Sequence, residues 1–264
     1  LYLVAPYMQA MVLGLLWPEK CRRIYVVGLG GGRLPLVLHH LVPEAQIDCS
    51  EIDPVVLQAA ERFFGLRRDE RLLVAIADGR QWLAELKDDR RYDLMLVDVF
   101  LDNGYTPYKM ATREFCELAR SRLSADGVLV VNLLSTDPYY EDKVATIQSV
   151  FAELVLCPAG RENRVLYASM RQMPEQGTLT ERALELEAVL GSDLPIQGWL
   201  PELRAPVNTG GHVLRDDAPP PDYFVSLPSF DGVFGRTDPD LPCPCGSGLS
   251  YSFCHGVRPS DRIP

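Results

Sequence analysis

The sequence lacks several features that would assign it to large classes of protein. Its 264 residues contain 26 Lys and Arg against 36 Asp and Glu, a formal net charge of −10, so it has no basic excess of the kind that non-specific nucleic-acid binding requires. The uncharged residues 1–17 are too short to span a membrane and include Pro6 and Gln9, which favours a buried helix. No internal repeat is present, and a hydrophobic content of 47% excludes collagen-like, coiled-coil and wholly disordered chains. We therefore expect a globular protein that binds neither nucleic acid nor membrane.

The seven cysteines fall into two groups. Cys21, Cys49, Cys116 and Cys157 are scattered through apolar segments, which is typical of small core residues in a reducing compartment. No secretory signal peptide is visible, so we expect a cytoplasmic protein. The other three cysteines crowd into residues 243–254 and indicate a separate kind of site.

Short apolar runs alternate with amphipathic stretches over the first two-thirds of the chain. The predicted strands are residues 23–27, 46–50, 72–76, 92–97 and 127–132, and the helices between them are 33–41, 54–64, 81–86 and 112–123. Such alternation, with strands that are apolar almost throughout, predicts a parallel sheet covered by helices on both faces. After a helix at 139–151, two strands at 153–157 and 164–169 are close enough to form an antiparallel hairpin. The expected fold class is α/β, with a doubly wound, mostly parallel sheet that ends in this hairpin.

The pattern also suggests a division of the chain. We expect a nucleotide-binding catalytic domain over residues 1–172, a helical extension over 173–200, a linker rich in Pro, Gly and Asp over 201–240, and a small metal-binding module over 241–258. Within the extension, Thr178 and Glu181 match a capping box that would start a helix, and Gly191 would end it.

Unusual residues follow each of the first four predicted strands. A glycine-rich turn follows the first strand and acidic residues follow the next three, and in an open parallel sheet the ligand lies beyond these carboxyl ends. Taken singly, the turn could be only a tight turn and each acid only a solvated loop residue. Together they predict a nucleoside site, and Arg33, in a place where a dinucleotide fingerprint needs Gly or Ala, disfavours NAD. The candidate ligand-binding residues are Gly28, Gly30, Gly31, Gly32, Glu51, Asp78 and Gly79, and the candidate catalytic residue is Asp98.

Five stretches resemble the spermidine synthase-like family, the polyamine aminopropyltransferases, which have a class I S-adenosylmethionine-dependent transferase fold. They are VVGLGGG (26–32), SEIDPVVLQAAERFF (50–64), ADGRQWL (77–83), YDLMLVDVF (92–100) and TREFCELARSRLSADGVLVVN (112–132). The resemblance implies a Rossmann-like fold of the methyltransferase type, a donor that is S-adenosylmethionine or its decarboxylated form, and a small amine as acceptor. It also implies that Glu51 holds the ribose, Asp78 the adenine, and Asp98 acts as the catalytic carboxylate. A homodimer is a further expectation at the level of the family.

Two departures from the family pattern affect the transferred group and the acceptor. Gly31 stands where the family loop has an aspartate that receives the aminopropyl amine, and Asp102 comes one residue later than the second family acid and lacks the proline that follows it. The sequence thus leaves three functions open. The first is transfer of an aminopropyl or other alkyl group to an amine, the second is methylation from S-adenosylmethionine, and the third is a catalytically silent nucleotide-binding scaffold.

The carboxyl-terminal tail has the spacing C-x-C-x₈-C-H. Three thiols and one imidazole, Cys243, Cys245, Cys254 and His255, form a complete tetrahedral ligand set for structural zinc. Residues 242–256 resemble the SEC-C motif, which implies a small zinc knuckle with a possible role in docking a protein partner. A disulfide-linked tail is the alternative.

Overall fold

A computed structural model of the chain describes residues 3–87, 89–100, 105–190, 194–206, 210–220 and 223. They form one sheet with helices on both faces. None of the helices in these ranges is long and apolar enough to cross a membrane. The predicted zinc tail, with Cys243, Cys245, Cys254 and His255, lies outside the described residues.

The central sheet has seven strands in the order β3-β2-β1-β4-β5-β7-β6. The strands are β1 (Arg23–Val27), β2 (Gln46–Glu51), β3 (Leu72–Ile76), β4 (Tyr92–Val97), β5 (Leu123–Leu134), β6 (Glu153–Pro158) and β7 (Asn163–Ser169). The first five pair in parallel, whereas β7 pairs antiparallel with both β5 and β6. The predicted fold class, a mostly parallel α/β sheet with a terminal hairpin, is confirmed.

In the described residues, seven α-helices cover the two faces of the sheet. They are α1 (Pro6–Val12), α2 (Arg33–Leu41), α3 (Pro54–Phe63), α4 (Gly79–Glu85), α5 (Arg113–Arg122), α6 (Tyr140–Gln148) and α7 (Gln176–Leu190). Side chains that accept from free backbone amides start three of them: Asp53 caps α3, Asp78 caps α4 and Thr112 caps α5. Short 3₁₀ turns lie at Leu13–Leu16, Tyr108–Met110 and Gln197–Glu202.

Alternation along the strands divides the core into two parts. On β1, Ile24 and Val26 pack with α1, α2 and α7 on one face, while Tyr25 and Val27 pack with α4, α5 and α6 on the other. Apart from Arg23 and Asp93, the residues of β1 and β4 are almost completely buried, as expected for inner strands of a covered parallel sheet. This buried frame fixes the positions of the strand ends that carry the candidate site.

Several predicted boundaries were wrong. Helix α7 begins at Gln176, so Thr178 lies inside it and the predicted capping box is not formed. The Thr180 hydroxyl donates to the carbonyl oxygen of Gln176, one turn earlier at the start of the helix. Leu179, in the first turn, is buried in the core, so the first turn is held by packing and does not need the predicted cap. Strand β5 begins at Leu123, four residues before the prediction, because it follows α5 without an intervening loop.

The described part of residues 210–223 packs against the domain, and we call residues 210–220 together with Tyr223 the strap. The Leu214 side chain is buried, and its carbonyl accepts a hydrogen bond from the Arg113 amide at 2.9 Å. The Tyr223 ring, 1% exposed, contacts the rings of Tyr108 and Tyr139 at centroid distances of 4.7 and 4.5 Å. The strap thus lies along the segment that leads into α5.

Candidate active site

One cavity of about 290 Å³ opens at the carboxyl ends of β1 to β4. Six of the predicted site residues line it: Gly28, Gly30, Glu51, Asp78, Gly79 and Asp98. They come from four different strand ends, which meet because parallel strands all end at the same edge of the sheet. A wall formed by Pro107, Lys109 and Met110, just before α5, closes the side next to Asp98.

Gly28 and Gly30 bring bare backbone to the cavity. Gly28 has φ +92°, and a Cβ there would lie 2.5 Å from the Asp98 carbonyl oxygen, so a side chain is excluded twice over. Its amide donates to the Ser50 carbonyl at 2.9 Å, which joins the turn to β2. Gly30 has φ +51°, and a Cβ there would meet no atom within 4 Å. The turn therefore leaves open space in front of Gly30 for a ligand.

The structure places the other two predicted glycines away from the cavity. A Cβ on Gly31 would lie 3.1 Å from the Phe64 ring, and Gly31 does not line the cavity. Gly32 starts α2 with φ +72°, and a Cβ there would lie 2.9 Å from Leu66. Both residues shape the turn by packing against the chain after α3.

Glu51 ties the glycine turn to the end of β2. One carboxylate oxygen accepts from the Leu29 amide at 3.0 Å and the other from the Asp53 amide at 3.0 Å. The side chain is half-buried at the cavity edge. A carboxylate offers about four acceptor positions, so these two bonds leave acceptor positions for a ligand.

Asp78 and Gly79 form the third strand end. Asp78 caps α4 by accepting from the Gln81 amide at 2.8 Å through one oxygen. A Cβ on Gly79 would lie 2.4 Å from Val27, so only glycine fits there. The Tyr25 hydroxyl donates to the Gly79 carbonyl at 2.7 Å and fixes this corner from inside the core.

Asp98 has polar partners that the sequence interpretation missed. The Asn132 side-chain amide donates to Asp98 Oδ1 at 2.9 Å, and the Asn163 amide donates in turn to Asn132 Oδ1 at 3.1 Å. The Tyr7 hydroxyl also interacts with the Asp98 carboxyl group. Burial raises the pKa of Asp98 above its ordinary value, although the bonds from Asn132 and Tyr7 oppose that shift. Burial, followed by the nearby charge of Asp98, raises the pKa of Tyr7 as well.

Tyr105, Tyr108 and Tyr139 do not line the cavity. Tyr108 and Tyr139 are buried behind its wall, and the Tyr108 hydroxyl donates to the Arg215 carbonyl of the strap at 2.5 Å. Tyr105 is half-buried, and Asp102 lies outside the described residues.

The described residues contain no group of three or more His, Cys, Asp or Glu that could hold a metal ion. Cys49, Cys116 and Cys157 are buried and unpaired. Burial raises the pKa of Cys116 to about 12 and that of Cys157 to about 12, so these thiols stay protonated. These three match the expectation of core cysteines, whereas Cys21, for which the same was expected, is only half-buried.

Comparison with known proteins gives curated relatives of two kinds, although no family model matches the chain. The polyamine aminopropyltransferase of Vibrio vulnificus is 40% identical over 190 residues, which cover 70% of this chain and 62% of that protein. The polyamine aminopropyltransferase of Chromobacterium violaceum is 31% identical over 194 residues, covering 72% of this chain and 73% of that protein. The eEF1A lysine and N-terminal methyltransferase of Mus musculus is 35% identical over 216 residues, covering 75% of this chain and 31% of that protein. The chain thus spans about three fifths of the Vibrio relative and about a third of the mouse one.

A solved structure similar to this one is that of human Methyltransferase-like protein 13 in complex with SAH. It superimposes with a TM-score of 0.63 at 30% sequence identity, covering 78% of this chain and 96% of that chain.

Proposed function

The chain belongs to the polyamine aminopropyltransferase family, a family of transferases, and we propose that it transfers an alkyl group from an adenosyl sulfonium donor to an amine. The observation that supports this most strongly is the convergence of bare glycine backbone and three carboxyl side chains, Glu51, Asp78 and Asp98, on one cavity. The donor would be S-adenosylmethionine or its decarboxylated form.

The residues present fit the adenosine part of such a donor. The open space at Gly30 and the missing side chain at Gly79 allow backbone to approach a flat ring and a sugar closely. Glu51 keeps acceptor positions for the ribose hydroxyls after binding two backbone amides. Capping of α4 uses one oxygen of Asp78, and its carboxylate has a second oxygen that could accept from the adenine amino group.

When bound, the donor supplies an electrophilic carbon next to a sulfonium, which leaves as a neutral thioether. The tasks of the chain are then to align the acceptor amine and to remove its proton, since amines of this type have pKa values of about 10. We assign both tasks to Asp98, which binds the ammonium group and accepts its proton. The raised pKa of Asp98 makes it a better base than an ordinary carboxylate. Tyr7 and Asn132 orient the carboxyl group.

Aminopropyl transfer is the first assignment because the chain lies within that family. Methyl transfer is a second candidate, and it rests on Gly31. This residue replaces the family aspartate that receives the aminopropyl amine, and it packs against Phe64 instead of lining the cavity. The similarity to the mouse methyltransferase supports the same alternative.

Product analysis tests the proposal. Purified protein is incubated with each donor and putrescine, and in parallel with a lysine-containing peptide, and the released nucleoside is identified by mass spectrometry. Release of 5′-methylthioadenosine indicates aminopropyl transfer, and release of S-adenosylhomocysteine indicates methylation, with Asp98→Asn as the inactive control. Failure to bind either donor would overturn the proposal. Donor binding with no release would instead favour the catalytically silent scaffold.

We further propose that the tail over 241–258 binds one structural zinc ion through Cys243, Cys245, Cys254 and His255. Elemental analysis should find one zinc per chain in the native protein, none in Cys243→Ser, and one in Cys21→Ser, the matched control. A metal-free native protein with fewer free thiols after tail oxidation would establish the disulfide instead. The domain division, a homodimer and a protein partner of this tail remain proposals, which light scattering and truncation at residue 240 can test.

A further inference from the structure

One carboxylate of the strap, that of Asp216, binds basic side chains next to the wall of the cavity. Asp216 accepts two hydrogen bonds from the Arg80 guanidinium, at 2.8 Å to Oδ1 and 2.5 Å to Oδ2, in the bidentate geometry typical of strong Arg–carboxylate pairs. The Thr112 hydroxyl donates to Oδ1 at 2.8 Å. The Lys109 ammonium lies 3.8 Å from Oδ1 and 3.5 Å from the Asp216 carbonyl oxygen.

Of the two cations that Asp216 binds, one lines the cavity. Lys109 is a lining residue, whereas Arg80 does not line the cavity but directly follows the lining residue Gly79 in the chain. Arg80 Nη1 donates to the Lys109 carbonyl at 2.8 Å, so the two residues are in direct contact. Without Asp216, the positive charges of Arg80 and Lys109 would lie next to each other at the wall of the cavity. Glu114 is the next acid there, and its carboxylate accepts from the Asp216 amide at 3.0 Å.

The rest of the cavity favours positive ligands. Its described lining contains the acids Glu51, Asp78 and Asp98, with Lys109 as the one basic residue among them. Although partial burial acts to raise it, the hydrogen bonds from Arg80 and Thr112 hold the pKa of Asp216 below its usual range. Asp216 is therefore ionised at neutral pH and offsets the charge that opposes cation binding.

We propose that Asp216 determines the charge specificity of the cavity: by compensating Arg80 and Lys109 from the strap, it allows sulfonium and ammonium ligands to bind beside them. This inference rests on the proposed function, because it takes the cationic donor and amine acceptor as ligands. Asp216 does not line the cavity and would act through Lys109 and Arg80. It lies 136 residues from Arg80 in the sequence, in a segment whose composition suggests only a linker.

Two ligands that differ in charge at one atom test the proposal. S-adenosylmethionine carries a sulfonium, whereas S-adenosylhomocysteine has a neutral thioether and the same adenosine and amino-acid groups. Asp216→Asn should weaken binding of the sulfonium ligand about five- to tenfold, as expected for one unit of charge near a partly shielded site. Binding of the thioether should change less than about twofold. The matched control is Asp217→Asn, which removes the same charge from an exposed neighbour and should change neither affinity.

A second variant distinguishes charge compensation by Asp216 from a purely structural role, in which Asp216 only holds the strap against the domain. In the double variant Asp216→Asn/Lys109→Met, the uncompensated ammonium is gone, so affinity for the sulfonium should return toward the wild-type value. If Asp216 had only a structural role, the double variant would not recover affinity for the sulfonium ligand. Isothermal titration calorimetry gives the affinities, and the melting temperature of each variant shows that it is folded.

The outcomes distinguish this inference from the proposed function. Equal losses for both ligands in Asp216→Asn, or no recovery in the double variant, would overturn it. If the wild type bound neither S-adenosylmethionine, S-adenosylhomocysteine nor the decarboxylated pair, the proposed function itself would fail. If Asp216→Asn does not fold, Lys109→Met alone tests the inference. Removing this positive charge must raise the affinity for S-adenosylmethionine relative to that for S-adenosylhomocysteine, compared with the wild type.

Discussion

Gly28→Ala should be the most damaging small substitution in the glycine turn. At φ +92° an L side chain is strained by roughly 1–2 kcal/mol. The new methyl group would also lie 2.5 Å from the Asp98 carbonyl oxygen, a backbone atom that cannot rotate away. Crowding of this kind typically costs about 1–3 kcal/mol. We expect a total loss of about 2–5 kcal/mol in the free energy of unfolding, measured by urea denaturation.

Two other glycines supply controls in the same chain. Gly65 has φ +73°, and a Cβ there would meet nothing within 4 Å, so Gly65→Ala isolates the strain term at about 1–2 kcal/mol. Gly30→Ala should cost a similar amount, since its Cβ is equally free of contacts. Its methyl group, however, enters the cavity that Gly30 lines and should weaken binding of S-adenosylhomocysteine, whereas Gly65→Ala should leave that binding unchanged.

The series can refute the reasoning in two ways. If Gly28→Ala destabilises the protein no more than Gly65→Ala, the close approach to Asp98 has no energetic consequence. If Gly30→Ala binds S-adenosylhomocysteine as tightly as wild type, the open space at Gly30 is not where the ligand lies.

Three further predictions concern the buried polar groups. Asp98→Asn should lower the rate of transfer by about 10²–10⁴-fold. Because burial raises the folded-state pKa of Asp98, the native state keeps this proton to higher pH than the unfolded chain does. The free energy of unfolding of the wild type should therefore fall as pH rises from the unfolded-state pKa to the folded-state pKa of Asp98, and Asp98→Asn should not show this fall. A stability profile with the opposite slope would contradict the raised pKa. Asn132→Ala should lower kcat by about 10- to 100-fold, because Asp98 loses the hydrogen bond that orients it. Asn163→Ala should have a smaller effect, because Asn163 contacts Asp98 only through Asn132, and equal effects of the two variants in steady-state kinetics would be inconsistent with this chain of hydrogen bonds. Lys143 and Asp137 form an ion pair whose side chains are 1% and 3% exposed. Lys143→Met leaves Asp137 as an unpaired buried charge and should lower the free energy of unfolding, measured by urea denaturation, by about 3–5 kcal/mol, whereas Lys143→Met/Asp137→Asn should lower it much less. A loss near zero for Lys143→Met would refute this prediction.

The nucleoside side of the site could be predicted from local sequence. Each acid or glycine there directly follows an apolar strand, and the carboxyl ends of parallel strands meet wherever such strands form one sheet. That is why Gly28, Glu51, Asp78 and Asp98 were predicted together and lie around one cavity. Within the glycine run, the sequence could not distinguish the members that face the cavity from Gly31, because the difference lies in backbone angles and in packing against Phe64.

The groups around Asp98 needed tertiary information. Asn132 gave a usable signal, since it is a polar residue in the apolar run of β5 and is only 1% exposed. Tyr7 gave none, because its place near Asp98 depends on the packing of α1 against β5 and β7. In the same way, Pro and Gly content predicted a linker over residues 201–240, and composition cannot show that Asp216 pairs with Arg80.

The difference between residues that local sequence predicts and residues that only tertiary contacts identify explains why the resemblance assigns the donor class more firmly than the acceptor. In the proposed function, adenosine is bound by short motifs at four strand ends, and these motifs are present in the sequence. The proposed charge balance beside the cavity depends on a contact between Lys109, which lies before α5, and Asp216, which is more than a hundred residues further along the chain. Such contacts can change without disturbing any of the strand-end motifs. Relatives that share these motifs can therefore differ in the group they transfer and the amine they use, and the charge balance among Arg80, Lys109 and Asp216 is one place where that difference can be measured.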